Sequence, residues 1–314
     1  MMSQITILIV PSIPRDEWMQ EVLPDISAVE LPLAGKRYID YALEVANRHT
    51  TTLTWILDTH PAKRLEDEFE GREKDGFDVM YRKADGHTFR GLNDLEALAG
   101  TLGPEINDHL IVVWGIALTC REENGFHREP VSAADCENTP MGIYRRKGTS
   151  WIRLVPDQVI IVQDVESWHK ANFQVLHNPD LFTLPGYSAE KGVNLGRNVV
   201  LEHGTDVKGP VLLQDNAWCA RNVVLDGDVI VGKDSFVSEG TFLKRTVIGS
   251  NTFLGNCLEL VDKIVIGRRI IDAKSGCWTD LEEPWLARAL ASPWFSWLGV
   301  LFRALCGRSM GRRG

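Results

Sequence analysis

Aliphatic residues recur every six positions over a long stretch in the second half of the chain, with one step of five between Leu243 and Ile248. A period of six fits neither a helix, at 3.6 residues per turn, nor an amphipathic strand, at two. It predicts short parallel strands separated by turns and wound into a three-sided coil of about four turns, because hexapeptide repeats are a known solenoid signal. The alternative is a β-rich domain with chance spacing. The ladder positions are Leu195, Leu201, Val207, Leu213, Cys219, Leu225, Val231, Val237, Leu243, Ile248, Leu254, Leu260 and Ile266.

Two further positions in each repeat have a recognisable composition. The residues four positions after the aliphatic residues are mostly small or β-branched, for example Ala217 and Thr241, and we expect them to fill the inside corners. The position directly after each aliphatic residue is often glycine or polar, for example Gly196 and Gly232, and we expect the turn there.

The first half of the chain alternates apolar runs with amphipathic segments. This alternation predicts an α/β sheet. The domain prediction is an α/β domain at 1–177, a linker at 178–192, the coil at 193–272 and a helical tail at 273–314. Predicted strands are Ile5–Val10, Leu53–Leu57, Leu110–Trp114 and Gln158–Val162, and predicted helices are Arg37–Arg48, Pro61–Phe69, Gly91–Ala99 and Glu166–Leu176, with Cys120–Lys147 expected to be polar and irregular.

Composition narrows the class of protein. The chain has 314 residues, 44% of them hydrophobic and 25% charged, which is ordinary for a soluble protein of two domains. A net charge of −9 argues against nucleic acid as a partner. The N-terminus has no signal-peptide pattern, and the six scattered cysteines indicate reduced thiols, so the expected location is cytoplasmic.

An α/β domain followed by hexapeptide repeats resembles the nucleoside-diphosphate-sugar pyrophosphorylases, or sugar nucleotidyltransferases. The motifs that carry the resemblance are Leu31-Pro32-Leu33-Ala34-Gly35-Lys36, Tyr38–Glu44, Val112-Val113-Trp114-Gly115, Met141-Gly142-Ile143-Tyr144 and Asp164-Val165-Glu166 with Ala171-Asn172. The resemblance implies a Rossmann-like nucleotidyltransferase domain, then a left-handed parallel β-helix and C-terminal helices. It implies a sugar phosphate or sugar nucleotide as ligand. The stretch Val261–Gly267 with Arg268–Asp272 resembles relatives in surface-polysaccharide synthesis.

The residues that carry the chemistry of this family are largely absent. The family has a glycine-rich loop after the first strand, but Pro11–Glu17 contains no glycine. Ala28 falls at or near the place of a conserved lysine of the family, and Gly115 is followed by Ile116 instead of an aspartate. The sequence therefore predicts impaired or lost nucleotidyl transfer, with Mg²⁺ as cofactor only if the protein is active.

The resemblance leaves four candidate site residues in the first domain. Lys36, Gly115 and Gly142 are candidate substrate-binding residues, and Asp164 is the one matching metal ligand. A surface lysine is the alternative for Lys36. A helix-capping or solvated carboxylate is the alternative for Asp164.

Two other functions stay open. A catalytically silent scaffold or regulatory subunit is one. A hexapeptide-repeat acyltransferase is the other: Asn256 lies at about the place of the histidine base of that class, and His203 is the one histidine in the coils.

The tail contains two predicted helices, Pro284–Ala291 and Pro293–Cys306. Aromatic residues in the second helix are followed by Arg308, Arg312 and Arg313, a pattern that suits a membrane interface. The tail is therefore expected either to contact the inner face of the membrane or to cover the end of the coil or a contact in a homo-oligomer.

Overall fold

The computed structural model describes residues 5–11, 17–46, 52–58, 65–69, 79–83, 90–95, 110–119, 128–155, 159–189 and 192–290. These residues form a mixed α and β protein with many strands and few helices. The chain divides into two compact units, Met1–Thr183 and Leu184–Gly314.

The first unit contains eleven described strands. They are β1 Ile5–Val10, β2 Pro32–Leu33, β3 Lys36–Arg37, β4 Thr52–Asp58, β5 Val79–Lys83, β6 Leu110–Trp114, β7 Ile116–Thr119, β8 Arg128–Pro130, β9 Gly142–Lys147, β10 Ser150–Leu154 and β11 Val159–Val162. Seven of them form a mixed sheet in the order β5-β4-β1-β6-β9-β10-β8. Strands β5, β4, β1 and β6 are parallel, whereas β9, β10 and β8 continue the sheet in antiparallel pairs. Strands β7 and β11 pair with each other, as do β2 and β3.

The helices of this unit are short, apart from the last. They are α1 Glu17–Val22, α2 Tyr38–Ala46, α3 65–69, α4 92–95, α5 Ala133–Glu137 and α6 Val165–Leu176, and Ala28–Glu30 forms a 3₁₀ turn. The four predicted strands and the helices at α2 and α6 are confirmed.

The expectation of an irregular segment over Cys120–Lys147 is wrong for its described part, which forms β8, α5 and β9. The sequence pattern does not indicate this strand, because β9 begins with three buried residues and ends with Arg145, Arg146 and Lys147. Such a strand shows no alternation of apolar and polar residues.

The core of the sheet lies around β1 and β6. Val10, Val112 and Trp114 are almost completely buried. A continuous apolar run is what a parallel strand covered on both faces requires, and this explains why both strands were recognisable in the sequence.

The second unit consists mainly of short strands that pair in parallel with strands one coil later. Val211 pairs with Val229, and Trp218 with Phe236, so partners are 18 residues apart, which equals three steps of six. The strands are β12 Tyr187–Ser188, β13 Val193–Leu195, β14 Val200–Leu201, β15 Asp206–Lys208, β16 Val211–Leu213, β17 Trp218–Cys219, β18 Val224–Asp226, β19 Val229–Val231, β20 Phe236–Val237, β21 Phe242–Ile248, β22 Thr252–Leu254, β23 Glu259–Ile266, β24 Arg269–Asp272, β25 Trp278–Asp280 and β26 Ala287–Ala289.

The aliphatic ladder is buried from Leu213 to Leu260. Its first members are less well covered. Leu201 is 41% exposed because its strand, β14, is the edge strand of its sheet and has β17 as its one neighbour there.

The five-residue step coincides with a shorter corner. After Leu225 the corner has two residues with positive φ, Gly227 and Asp228, whereas after Leu243 only Arg245 does, with φ 43°. From this corner onward the partners are 17 residues apart, as in the pair of Val229 with Thr246.

The last position of the predicted ladder is wrong by one residue. Ile248 pairs with Val265, which is completely buried, whereas Ile266 is half-buried. The short corner is repeated one coil later, where Asp262 has φ 55°. The two corner residues lie one above the other in successive coils and form an ion pair with two hydrogen bonds: Arg245 Nε lies 2.5 Å from Asp262 Oδ1, and Arg245 Nη2 lies 3.0 Å from Oδ2.

The turns lie later than the sequence suggested. Left-handed residues stand three positions after the aliphatic residue, for example Asn198, Asn216 and Asn222. Asparagine tolerates this conformation because its short side chain bonds locally. Gly196 serves another purpose, since a Cβ there would lie 2.4 Å from the backbone nitrogen of Asp215 in the next coil.

The chain reverses after β23, where β24 and β25 pair antiparallel. The predicted helix Pro284–Ala291 is wrong: β26 lies within it and pairs antiparallel with β22, with Ala287 completely buried. The segment forms a strand because the edge of β22 offers hydrogen-bond partners to its backbone N–H and C=O groups, whereas a short isolated helix is only marginally stable in water. The predicted helix Pro293–Cys306 and the arginines after it lie outside the described residues. Within the described part, no helix has the length and apolarity to cross a membrane.

Candidate functional site

Gly115 lies at the carboxyl end of the central strand β6. Its N–H donates to the carbonyl of Val10 at the end of β1, at 2.9 Å, and its own carbonyl lies 3.3 Å from the Tyr38 hydroxyl. Its φ of 76° is left-handed, which a residue with a Cβ adopts at a cost. Ligands of open α/β sheets bind outside the carboxyl ends of the parallel strands, so this predicted site residue lies where that rule places a ligand.

Gly142 lies beside the carboxyl end of β6. It pairs with Trp114, which in turn pairs with Val10, so the three residues form a row across the sheet. A Cβ on Gly142 would lie 3.1 Å from Nε of Arg153, so the glycine leaves space for that guanidinium group.

Arg153 is a residue that sequence reasoning missed. Its Nη2 donates to the Met141 carbonyl at 2.8 Å. Its Nε is buried and finds no acceptor among the described residues. An arginine among apolar neighbours in β10 was the available signal, because buried cations need a partner.

The loop before Lys36 is fixed by side chains from two helices. Asn172 Oδ1 accepts from the Ala34 N–H at 2.8 Å, and the Tyr41 hydroxyl donates to the Ala34 carbonyl at 3.0 Å. Trp168 Nε1 donates to the Pro32 carbonyl at 2.8 Å. The Ala-Asn motif therefore anchors the loop.

Lys36 itself is neither fully exposed nor free. Its Nζ lies 3.3 Å from Glu44 Oε2 and 5.0 Å from the centre of the Tyr41 ring. The other carboxylate oxygen of Glu44 accepts from the Thr183 N–H at 2.8 Å. Burial raises the pKa of Glu44, but the hydrogen bonds from Thr183 and the charge of Lys36 outweigh it and hold the pKa below its usual value.

Asp164 caps helix α6. Its Oδ1 accepts from the Ser167 N–H at 2.7 Å and from the Ser167 hydroxyl at 2.7 Å, and the Ser167 hydroxyl in turn accepts from the Asp164 N–H. This reciprocal arrangement is a capping box. The contacts of Asp164 are those of the helix-cap alternative.

The position after Gly115 offers no metal ligand. Ile116 is 1% exposed and pairs with Val162 of β11. Within the described ranges, no three His, Cys, Asp or Glu side chains are grouped so as to hold a metal ion.

His203 and Asn256 lie on one edge of the second unit but not together. The pairs Leu201–Cys219, Cys219–Val237 and Val237–Leu254 place both residues in the same column of turns, three strand spacings apart. At about 4.8 Å per spacing, the separation is about 14 Å. Both residues are exposed, and residues 221 and 239 lie between them in the column.

Comparison with known proteins gives a partial similarity. No protein-family model matches the chain. A UTP–glucose-1-phosphate uridylyltransferase from Synechocystis sp. is 27% identical over 135 residues, which is 42% of this chain and 32% of the relative. The chain thus matches about a third of that relative's length. The similarity supports a distant nucleotidyltransferase-like relationship.

Proposed function

We propose that this protein binds a sugar phosphate or sugar nucleotide and that its nucleotidyl transfer is impaired or lost. In this proposal the first unit is a Rossmann-like nucleotidyltransferase domain, and the second is a left-handed β-helix. The observation that carries the proposal is the burial of Ile116, two residues after the last residue of the central strand β6. The family that the sequence resembles has a metal-binding aspartate at this position.

Nucleotidyl transfer needs positive charge where negative charge develops on the phosphates. Two carboxylates holding Mg²⁺ supply that charge in the resembling family. In this chain Ile116 is an apolar core residue, and both bonds to Asp164 Oδ1 come from Ser167. This donor set does not fit a two-carboxylate Mg²⁺ site.

Binding is less affected than transfer. Gly115 and Gly142 lie at the carboxyl end of the central strand, and Lys36 and Arg153 provide two cations in the same unit. These features suit a phosphorylated sugar ligand better than a neutral one. A role as a silent partner in surface-polysaccharide synthesis, in a homo-oligomer or at the inner membrane face, belongs to the same proposal.

The test separates binding from turnover. The full chain is mixed with UTP, or another nucleoside triphosphate, plus glucose 1-phosphate and Mg²⁺, and pyrophosphate release is measured. Binding is followed in parallel by thermal shift with UDP-glucose, glucose 1-phosphate and acetyl-CoA, because a ligand that binds the native state raises apparent stability. We expect a shift with UDP-glucose or glucose 1-phosphate and no pyrophosphate.

The outcomes are distinct. Pyrophosphate release above a no-enzyme control would refute lost transfer. Absence of any shift with phosphorylated sugars would refute binding and favour the scaffold alternative. A shift with acetyl-CoA that His203→Ala abolishes would favour the acyltransferase alternative instead.

A further inference from the structure

The two partners of the ion pair between Lys36 and Glu44 are held by different contacts. Glu44 is fixed at both oxygens, since the Thr183 N–H holds Oε1 at 2.8 Å and Lys36 Nζ approaches Oε2 at 3.3 Å. Lys36 is attached by a flexible stem, and the side chains of Lys36 and Glu44 are 27% and 24% exposed. The carboxylate is therefore held by a backbone donor, whereas the ammonium group is held by the side chains of Glu44 and Tyr41 at the end of a flexible stem.

The surroundings of Glu44 reinforce this fixation. Tyr41 lies on the same helix, α2, and its ring contacts the Phe182 ring edge-on at 5.5 Å. Phe182 is completely buried and directly precedes Thr183. The helix and the end of the first unit thus form one packed cluster, whereas Lys36 lies in the short strand β3 after a left-handed turn at Ala34 and Gly35.

We propose that Glu44 is a competitor for the phosphate-binding lysine: a phosphorylated ligand binds by drawing the Lys36 ammonium away from the Glu44 carboxylate. This inference rests on the proposed function, because it assumes a phosphorylated ligand in the first unit. Each ligand must then offer Lys36 more negative charge than one carboxylate does. The pair consequently favours ligands whose phosphates together carry two or more negative charges over singly charged or neutral ligands.

The experiment uses the full chain and isothermal titration with UDP-glucose, inorganic pyrophosphate and glucose. Glu44→Gln keeps an amide oxygen for the Thr183 N–H but removes the competing charge. We expect it to bind UDP-glucose about two- to fivefold more tightly, which corresponds to the usual strength of a partly exposed ion pair. Lys36→Met should weaken binding about tenfold, and the double variant should behave like Lys36→Met.

The matched control is Glu166→Gln, which removes the exposed pair with Lys170 on α6, where the two charges are 2.7 Å apart. This variant should leave the affinity unchanged. Circular dichroism checks that each variant is folded. If Glu44→Gln does not fold, Glu44→Ala takes its place as the variant that removes the competing charge, and an unchanged affinity in Lys36→Met refutes the inference in either case.

The two proposals fail in different ways. If the parent protein binds UDP-glucose and Glu44→Gln binds it equally or less tightly, only the competitor role is refuted. If only Glu44→Gln binds, the competitor role holds and binding by the parent is refuted. If neither binds UDP-glucose or pyrophosphate, both proposals are refuted.

Discussion

The ladder of the second unit allows a matched comparison of one substitution at two burial levels. Leu243 is completely buried and pairs with Leu225 in one coil and Leu260 in the next. Leu201 occupies an equivalent ladder position but is 41% exposed. Each is changed to alanine, so the chemistry of the change is the same.

The expected loss of stability follows from these surroundings. Leu→Ala removes three carbons, and at about 0.8 kcal/mol per carbon the transfer term is about 2.4 kcal/mol. Leu243 lies between hydrogen-bonded coils that cannot close in, so we add a cavity term of about 1 kcal/mol and expect about 3–4 kcal/mol in total. At Leu201 water fills the space that the three lost carbons leave, and we expect a loss of stability of about 1 kcal/mol.

Amide hydrogen exchange read by mass spectrometry is the suitable assay. A chain of two units does not unfold in one step, so a single melting curve would mix two transitions. Peptides covering 211–260 report the opening free energy of the coils directly. A loss below about 1 kcal/mol in Leu243→Ala, or equal losses in both variants, would refute the reasoning about the closed core.

Three further predictions concern polar groups. Asn172→Ala leaves the Ala34 N–H without its acceptor and should lower the opening free energy of the first unit, read by hydrogen exchange, by about 2–3 kcal/mol, whereas Asn178→Ala, at an exposed bond to Gln174, should lower it by less than about 1 kcal/mol. Asp164→Ala should cost about 1 kcal/mol by loss of the cap, equally with and without Mg²⁺, and a larger loss with Mg²⁺ would contradict the capping role. Hydrogen bonding from Arg245, and then from Lys274, lowers the pKa of Asp262 to about 2. Its stabilising contribution should therefore be complete above the unfolded pKa of about 3.9 and disappear as the pH falls through about 2. Asp262→Asn should flatten the dependence on pH, between about 4 and 2, of the midpoint of the unfolding transition that belongs to the second unit, and an unchanged slope would exclude this pair as its cause.

The parallel pairing of the second unit was partly predictable because one rule acts many times. Nine ladder residues, from Leu213 to Leu260, are buried in one core, so many weak signals agree on one period. The rule fails where a single residue decides the geometry. The second short corner, at Asp262, is invisible because Val265 and Ile266 are both aliphatic, and only the pairing with Ile248 distinguishes them.

The sheet edge in the first unit was partly predictable. Gly115 and Gly142 belong to motifs with fixed positions on strands, and the pairing through Trp114 brings them together. Glu44 was missed as a site residue because its contact with Thr183 spans 139 residues of sequence. Arg153 was missed because its carbonyl partner, Met141, becomes its neighbour only when β9 and β10 pair. The strand at Ala287–Ala289 was predicted as helix because local patterning could not reveal the free edge of β22.

The corner at Arg245 gives the coil stack two repeat lengths. Before it, equivalent positions are 18 residues apart, as between Leu213 and Val231, and after it they are 17 apart, as between Leu243 and Leu260. A strand is therefore in register with the next coil only if the corner before it has the matching length. One extra residue within a strand after Arg245 would shift the remaining residues of that strand by one position against their partners. Because neighbouring strand residues point to opposite faces, that shift would turn their inward side chains outward.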